Sequence, residues 1–263
     1  MDWFKHTQYI PNEMKRLQEA EAAYALREAW HRVYGSYPSD ESLAVLWAKS
    51  ALETGRWRFI HCYNFGNIKH SPDDKCLFTM FECSEEVTML TAKRLMAEDP
   101  ERVYVIKTYS SPSGVECASI KIKPGHLWSQ FRAFKTPEDG AEDYIRFISQ
   151  RPRLKKAWEK VMQGDPAGYA HELKLAGYYT ADEGSYRLGV MKLFKEFLGK
   201  KDKLLAWKAP MHNDTIPTPA PIPAPPVPRP STKEEQEHMK ATMTSVIAAV
   251  IGMIIAWLFQ YCR

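Results

Sequence analysis

The sequence lacks the features that mark several common classes of protein. Its formal net charge is only +4 over 263 residues, and it contains no basic stripe interleaved with aromatic residues, so no nucleic-acid partner is expected. Its five cysteines include no CxxC pair and no zinc-ligand spacing, so no metal site is expected. Cys62, Cys76, Cys83 and Cys117 could pair in an oxidising compartment, but their spacing favours no pairing, and free buried thiols are the expectation.

An N-terminal export signal is also missing, because charged and polar residues interrupt residues 1–10, where a signal needs an apolar core. Proline, by contrast, is concentrated, since eight of the 18 prolines lie between Pro217 and Pro230. This segment favours an extended polyproline helix that would span about 40 Å at about 3.1 Å per residue. We therefore predict a globular domain over residues 1–209 and a linker over residues 210–242, with a proline-rich ligand for another protein as the alternative.

The longest apolar run of the chain lies near its C-terminus, at residues 246–259. With its flanking residues it predicts one transmembrane helix over residues 243–261, and hence a lipid membrane as a partner. A buried core helix is the alternative that this length permits. Ala248, Gly252 and Ala256 form a small-residue face on the predicted helix, which would allow self-association.

The pattern of residues 1–209 predicts an α+β fold, mostly α, with a small β-hairpin insertion. Helices are predicted over residues 12–34, with Asn12 as the cap, and over residues 40–53, with Ser39 as the cap. A short helix from Ser84 to Pro100 is expected to precede two strands, 103–109 and 115–122, that flank a Ser-Ser-Pro-Ser-Gly turn. Four more helices are predicted over residues 136–150, 152–162, 166–176 and 183–198.

Glu53 is the candidate for acid chemistry, because it closes the second predicted helix close to Trp57, Phe59 and Phe65. The negative end of the helix dipole and the loss of water would both disfavour a charged carboxylate there. A glutamate that holds a proton near neutral pH can protonate the oxygen of a glycosidic bond as that bond breaks.

The sequence around Glu53 resembles a known family. The segments AKSALETG (residues 48–55) and YNFGNIK (63–69) resemble the glucosaminidase domains of glycoside hydrolase family 73, in the wider lysozyme-like group. Later segments agree in order, since FRAFKTPEDGAEDY (131–144) resembles the strand and helix that follow the hairpin of that family. YAHEL (169–173) and AGYYTADEGSY (176–186) are similar to its closing motif. The resemblance covers roughly residues 11–197 and implies a lysozyme-like domain.

Carried over by position, the resemblance implies that Glu53 is the general acid. It implies further that residues of one loop shape the floor of a sugar subsite and that two tyrosines line the cleft: Asn64, Phe65, Gly66, Tyr178 and Tyr186. Each of these five has a plainer alternative. The aromatic residues could simply pack in the core, Gly66 could be required for a left-handed turn, and Asn64 could be a turn residue or a helix cap.

The family commonly places a second carboxylate on the hairpin, whereas the turn here contains no acid, and Glu116 on the returning strand is the nearest candidate. Hydrolysis by two carboxylates requires separations of about 5 to 5.5 Å for retention or about 6.5 to 9.5 Å for inversion. If Glu116 is not so placed, the acetamido group of the sugar or the 6-hydroxyl of a muramic acid unit could serve as the internal nucleophile. The second route gives a lytic transglycosylase.

The favoured interpretation is therefore an enzyme that cuts the β-1,4 glycan strand of peptidoglycan, as an N-acetylglucosaminidase, with no cofactor. We expect a single-pass membrane protein of a bacteriophage virion or of the bacterial cell envelope, with its catalytic domain facing the cell wall. The alternatives are a lytic transglycosylase or muramidase on the same fold, and a non-catalytic glycan-binding membrane protein of the virion.

Overall fold

The computed structural model describes residues 3–111, 114–179 and 181–208. The predicted linker (210–242), the predicted transmembrane helix (243–261) and its small-residue face at Ala248, Gly252 and Ala256 lie outside the described residues. Within the described ranges, no helix combines the length and the apolar character that crossing a membrane requires.

The described chain has an α+β fold in which helices predominate. Its α-helices are α1 (Glu19–Tyr34), α2 (Asp40–Glu53), α3 (Met89–Glu98), α4 (Pro137–Gln150), α5 (Lys155–Met162), α6 (Pro166–Leu175) and α7 (Glu183–Leu205). Its strands are β1 (Met14–Lys15), β2 (Ile60–His61), β3 (Leu77–Met80), β4 (Cys83–Thr88), β5 (Val103–Ser110), β6 (Glu116–Ile122) and β7 (Gln130–Ala133). The strands form three small antiparallel sheets, β1-β2, β3-β7 and β4-β6-β5.

Helix α2 forms the centre of the helical core, in contact with α1, α5 and α7. Every residue from 42 to 51 is buried, as expected of a helix whose sequence is largely apolar on all sides. The predicted cap is present, because the Ser39 hydroxyl accepts a hydrogen bond from the Ser42 amide. The helix ends at Glu53, as predicted, so this glutamate emerges where a fully buried helix reaches the surface.

The predicted β-hairpin is present, with β5 and β6 paired from Val103 opposite Ile122 to Ser110 opposite Glu116. A third strand, β4, lies where the sequence predicted the start of a helix at Ser84. The side chains of Cys83, Glu85 and Val87 are half-buried while those between them are exposed, which is the two-residue period of a strand. The helix begins only at Met89, where the Thr88 hydroxyl caps it by accepting from the Thr91 amide.

The prediction of a helix over residues 12–34 was wrong at its start, because α1 begins at Glu19. Asn12 is not a helix cap; its side-chain oxygen lies 2.9 Å from Nδ1 of His61. Residues 14 and 15 pair instead with β2, so long-range pairing prevails over the local helix propensity of this segment. The C-terminal end at Tyr34 is confirmed, with Gly35 in the left-handed conformation at φ 71°.

Two other helix boundaries also differ from the prediction. Residues 152–154 form a 3₁₀ turn before α5 begins at Lys155. Helix α7 continues past Gly199 to Leu205, with a kink at Lys200. The extension is held by packing and charge, since Leu204 is buried and the Lys200 ammonium donates hydrogen bonds to Glu19 and Glu196 at 2.6 Å each.

A buried arginine joins the β3-β7 sheet to the helical core. Arg132, in β7, donates to both carboxylate oxygens of Asp74 at 2.7 and 3.0 Å and to Asp143 of α4 at 2.8 Å. Its side chain is 9% exposed. A bidentate guanidinium–carboxylate pair fixes geometry as well as charge, so this cluster holds strand β7 in a defined position against α4.

We predict that Arg132→Met lowers the free energy of unfolding by about 2–3 kcal/mol at pH 7, less than for a fully buried pair because both carboxylates are partly exposed. Burial raises the pKa of Asp143, and Arg132 opposes that rise, so its removal raises this pKa further. A carboxyl group with a raised folded-state pKa destabilises the fold above that pKa and ceases to do so as the pH falls through it. Urea denaturation should therefore show that Arg132→Met lowers the free energy of unfolding less at pH 4 than at pH 7. A difference in unfolding free energy that does not change with pH would contradict this account.

Candidate active site

A cleft of about 650 Å³ opens beside the C-terminal end of α2. Its floor includes Glu53 and the loop from Gly66 to Ser71. One wall is formed by residues 81–85, at the start of the β4-β6-β5 sheet, and by Phe131. The other wall is formed by Phe147, Arg151, Arg153, Tyr178 and Tyr179. The cleft therefore lies between the sheet and the helical core, with the candidate acid at its floor.

The Glu53 carboxylate is held by groups from two helices. Its Oε1 atom accepts a hydrogen bond of 2.8 Å from the hydroxyl of Tyr186 in α7, and the ammonium of Lys49 lies 3.7 Å from the same oxygen. Burial and the nearby Glu53 carboxylate raise the pKa of Tyr186, which keeps its phenol protonated and able to donate. The Glu53 side chain is 24% exposed, so it is accessible from the cleft.

Lys49 is a component of the site that sequence reasoning missed. It lies one helical turn before Glu53 and its side chain is 0% exposed. Its ammonium donates a hydrogen bond of 2.7 Å to the Tyr178 hydroxyl and lies over the rings of Tyr178 and Tyr144, at 4.3 and 5.1 Å from their centroids. The available signal was a single charged residue, four positions before Glu53, within the apolar run of α2. Lys49 therefore places a buried positive charge next to the Glu53 carboxylate.

Tyr186 contacts the Glu53 carboxylate directly, whereas Tyr178 contacts its neighbours Lys49 and Gly66. Tyr178 lines the cleft, and its hydroxyl lies 3.3 Å from the Gly66 carbonyl oxygen. Tyr186 is not among the residues that line the cleft; the ring of Tyr179 stacks on it with centroids 3.8 Å apart. Tyr186 therefore holds the carboxylate without lining the cleft, while Tyr178 and Tyr179 form part of its wall.

Asn64 and Phe65 brace the loop and do not line the cleft. The Asn64 side chain accepts from the Ile68 amide at 2.9 Å and donates to the carbonyls of Ile68 and Arg132 at 2.9 and 3.0 Å. Phe65 is fully buried in the helical core. These contacts agree with the plainer alternatives, in which Asn64 is a turn residue and Phe65 packs in the core.

Gly66 lines the cleft, but a left-handed turn is not the reason for a glycine there. The residues of this loop with positive φ are Cys62, Tyr63 and Asn67, at 44°, 55° and 47°. At Gly66 the restriction is space, because an added Cβ would lie 2.9 Å from a ring carbon of Tyr144. The backbone thus approaches the core too closely for any side chain.

Glu116 is exposed at the start of β6, and the structure does not bring it into the Glu53 cleft. It lines a separate, smaller pocket with Met89 and Tyr109. The acids on the sheet side of the cleft are instead Glu82, which pairs with Lys121, and Glu85 of β4, whose carboxylate lies 2.6 Å from the ammonium of Lys69. Sequence reasoning missed Glu85 because it assigned this segment to a helix.

The described residues contain one group of possible metal ligands, His70, Asp74 and Cys76, whose ligand atoms lie within 4.8 Å of one another. Both oxygens of Asp74 already accept hydrogen bonds from Arg132, which a cation would have to displace. The four described cysteines are free thiols, and burial raises the pKa of Cys76 to about 11.

No protein-family model and no curated protein matches the chain. Two solved structures are similar to it. A C-terminally truncated glycoside hydrolase domain of FlgJ from Salmonella typhimurium has 16% identity, a TM-score of 0.37, and coverage of 68% of this chain and 95% of that chain. The catalytic domain of the autolysin Auto from Listeria monocytogenes has 14% identity, a TM-score of 0.38, and coverage of 71% and 83%. At such low identity, the role of each residue has to be judged from the geometry of this chain.

Proposed function

We propose that the chain is a glycoside hydrolase that cleaves the β-1,4 glycan strand of peptidoglycan, as an N-acetylglucosaminidase, with Glu53 as the general acid. The proposal depends chiefly on the position of Glu53, a carboxyl group at the floor of a cleft, held by Tyr186 and Lys49 at the end of a buried helix. The family resemblance around residues 48–69 supplies the substrate class.

The contacts of Glu53 distinguish its two oxygens. Among the described residues, Tyr186 and Lys49 both approach Oε1. Oε2 is the oxygen left to face a glycosidic oxygen in the cleft. Glu53 would first donate a proton to the departing sugar oxygen and later accept one from the attacking group.

Glu85 is the candidate for the second carboxylate, because it lines the same cleft from the sheet side. Its ion pair with Lys69 holds the carboxylate in place, where it could act as a base that activates water or as a group that stabilises positive charge on the sugar. The routes with a single glutamate, through the acetamido group or the 6-hydroxyl, remain the alternatives and give different products.

Glu85→Gln is expected to lower the rate of glycan cleavage by about 10²-fold, since a general base contributes about 10²- to 10⁴-fold. The control is Glu86→Gln, one position further along β4, where the side chain is exposed on the other face of the strand. Cleavage rates on purified sacculi measure both. Equal rates for the two variants would remove Glu85 from the mechanism and favour a route with one glutamate.

The function itself is tested by digestion of purified sacculi with the full-length chain in detergent. We expect soluble fragments with new N-acetylglucosamine reducing ends, identified by mass spectrometry after borohydride reduction. Muramic acid reducing ends would indicate a muramidase, and anhydro-muramic ends a lytic transglycosylase. Binding to sacculi without release of fragments would show a glycan-binding module instead of an enzyme.

We propose further that residues 243–261 anchor the protein in a membrane and that the proline-rich segment separates the catalytic domain from it. A bacteriophage virion or the bacterial cell envelope is the proposed location, with the domain facing the wall. Sedimentation of the full-length chain with lipid vesicles, compared with a chain that lacks residues 243–261, tests the anchor. Equal sedimentation of the two chains would refute it.

A further inference from the structure

The helical wall of the cleft carries two arginines without an ion-pair partner among the described residues. Arg151 and Arg153, at the end of α4 and in the 3₁₀ turn after it, both line the cleft. The ion pairs found among residues 3–111, 114–179 and 181–208 include neither of them.

The acids that line the cleft, by contrast, each have a cationic partner. Glu53 lies 3.7 Å from the Lys49 ammonium, Glu85 lies 2.6 Å from that of Lys69, and Glu82 pairs with Lys121. The positive charge of the helical wall is therefore not balanced from across the cleft. A substrate that lies between the walls meets a cationic surface on the side of α4.

Arg151 is held in place although it lacks an acid partner. Its guanidinium lies over the ring of Phe147, 4.0 Å from the centroid, and Phe147 is itself buried. Burial and the neighbouring Arg132 lower the pKa of Arg151, so the fold tolerates a cation in an unfavourable position. A pre-oriented guanidinium loses little conformational freedom when it binds a planar anion.

We propose that Arg151 and Arg153 form a subsite that binds a carboxylate of the peptide stem carried by the muramic acid residue next to the bond that is cut. The inference rests on the proposed function and adds a substrate preference to it. The cleft should bind wall glycan that carries acidic peptide stems more tightly than a neutral glycan with the same backbone. Arginine suits this task because its forked donors match a carboxylate.

The test measures binding separately from cleavage. Full-length Glu53→Gln protein, with and without Arg151→Ala and Arg153→Ala, is titrated calorimetrically with soluble glycan strands that carry peptide stems. The same strands after carbodiimide-mediated amidation of their carboxylates form the neutral comparison. Arg94→Ala is the control, because Arg94 lies on α3, is exposed and pairs with Glu98.

We expect the double alanine variant to bind native strands roughly 10- to 100-fold more weakly, given the strength of hydrogen bonds to charged groups, and amidated strands as before. A variant with Arg151→Lys and Arg153→Lys should recover part of the loss, because lysine keeps the positive charge but lacks the forked donors, and Arg94→Ala should have no effect. Equal affinity of the parent protein for native and amidated strands, or an equal loss on both, would overturn the subsite.

Phosphate is the competing anion. Hydrofluoric acid removes phosphodiester polymers from the strands, and binding of the treated strands should still depend on the two arginines. Loss of that dependence would assign the site to phosphate instead. Failure of the wild-type chain to cut sacculi, with carboxylate-dependent binding intact, would refute the hydrolase and leave the subsite standing.

Discussion

Replacement of Glu53 by glutamine is expected to slow the release of soluble fragments from sacculi by about 10²- to 10⁴-fold. Glutamine keeps the shape of the side chain and an oxygen that can accept the hydrogen bond from Tyr186, so the local structure should persist. What it lacks is a proton that it can donate to the departing sugar oxygen. The expected loss is therefore in the rate of the chemical step and not in binding.

The matched control is Glu98→Gln. Glu98 closes α3 as Glu53 closes α2, but it lies away from the cleft and pairs only with Arg94 of its own helix among the described residues. Initial rates on sacculi and binding to them are measured for both variants. A loss of less than tenfold for Glu53→Gln would show that the acid is another group, even if the chain proves to be a hydrolase.

Gly140→Ala is expected to lower the free energy of unfolding by more than about 3 kcal/mol, at the upper end of the cost of overpacking. Gly140 lies in the first turn of α4, and a Cβ added there would lie 1.9 Å from the carbonyl oxygen of Tyr63. The obstacle is backbone, which cannot rotate away as a side chain can. Tyr63 already has a φ of 55°, so the loop that leads to Asn64 has little freedom to yield.

Gly199→Ala is the control for this second prediction, because Gly199 lies inside α7 and has no atom within 4 Å of the added carbon. Alanine favours a helix over glycine by about 0.5–1 kcal/mol, so this variant should be unchanged or slightly more stable. Urea denaturation followed by tryptophan fluorescence measures both proteins. Equal midpoints for the two variants would contradict the close approach of α4 to Tyr63.

Helices with local signals could be predicted from the sequence. Ser39 caps α2, Thr136 caps α4 and Gly35 ends α1, and each of these interactions involves neighbours in the chain. Glu53 could likewise be placed at a helix end. The start of α1 and the strand β4 could not be predicted, because pairing with distant strands determines them.

In the candidate site, too, local features could be predicted from the sequence and long-range features could not. The family resemblance predicted that Glu53, Gly66 and Tyr178 belong to one site, and the structure brings these three residues to one cleft. Glu116 was the candidate second carboxylate, and Glu85 was missed, because the answer depends on where the strands lie relative to α2, which no local sequence pattern shows. The role of Lys49 depended on burial, and a lysine in a helix is ordinarily expected to reach solvent.

The burial of α2 bears on how such a protein could diversify. Residues 42–51 have no exposed face, so most exchanges there would open a cavity or overfill the core. Changes that leave the fold intact are therefore expected across the cleft, in strand β4, where the side chains are half-buried or exposed. Such changes would be expected to alter which ligands the cleft accepts, while α2, which holds Glu53, stays almost unaltered.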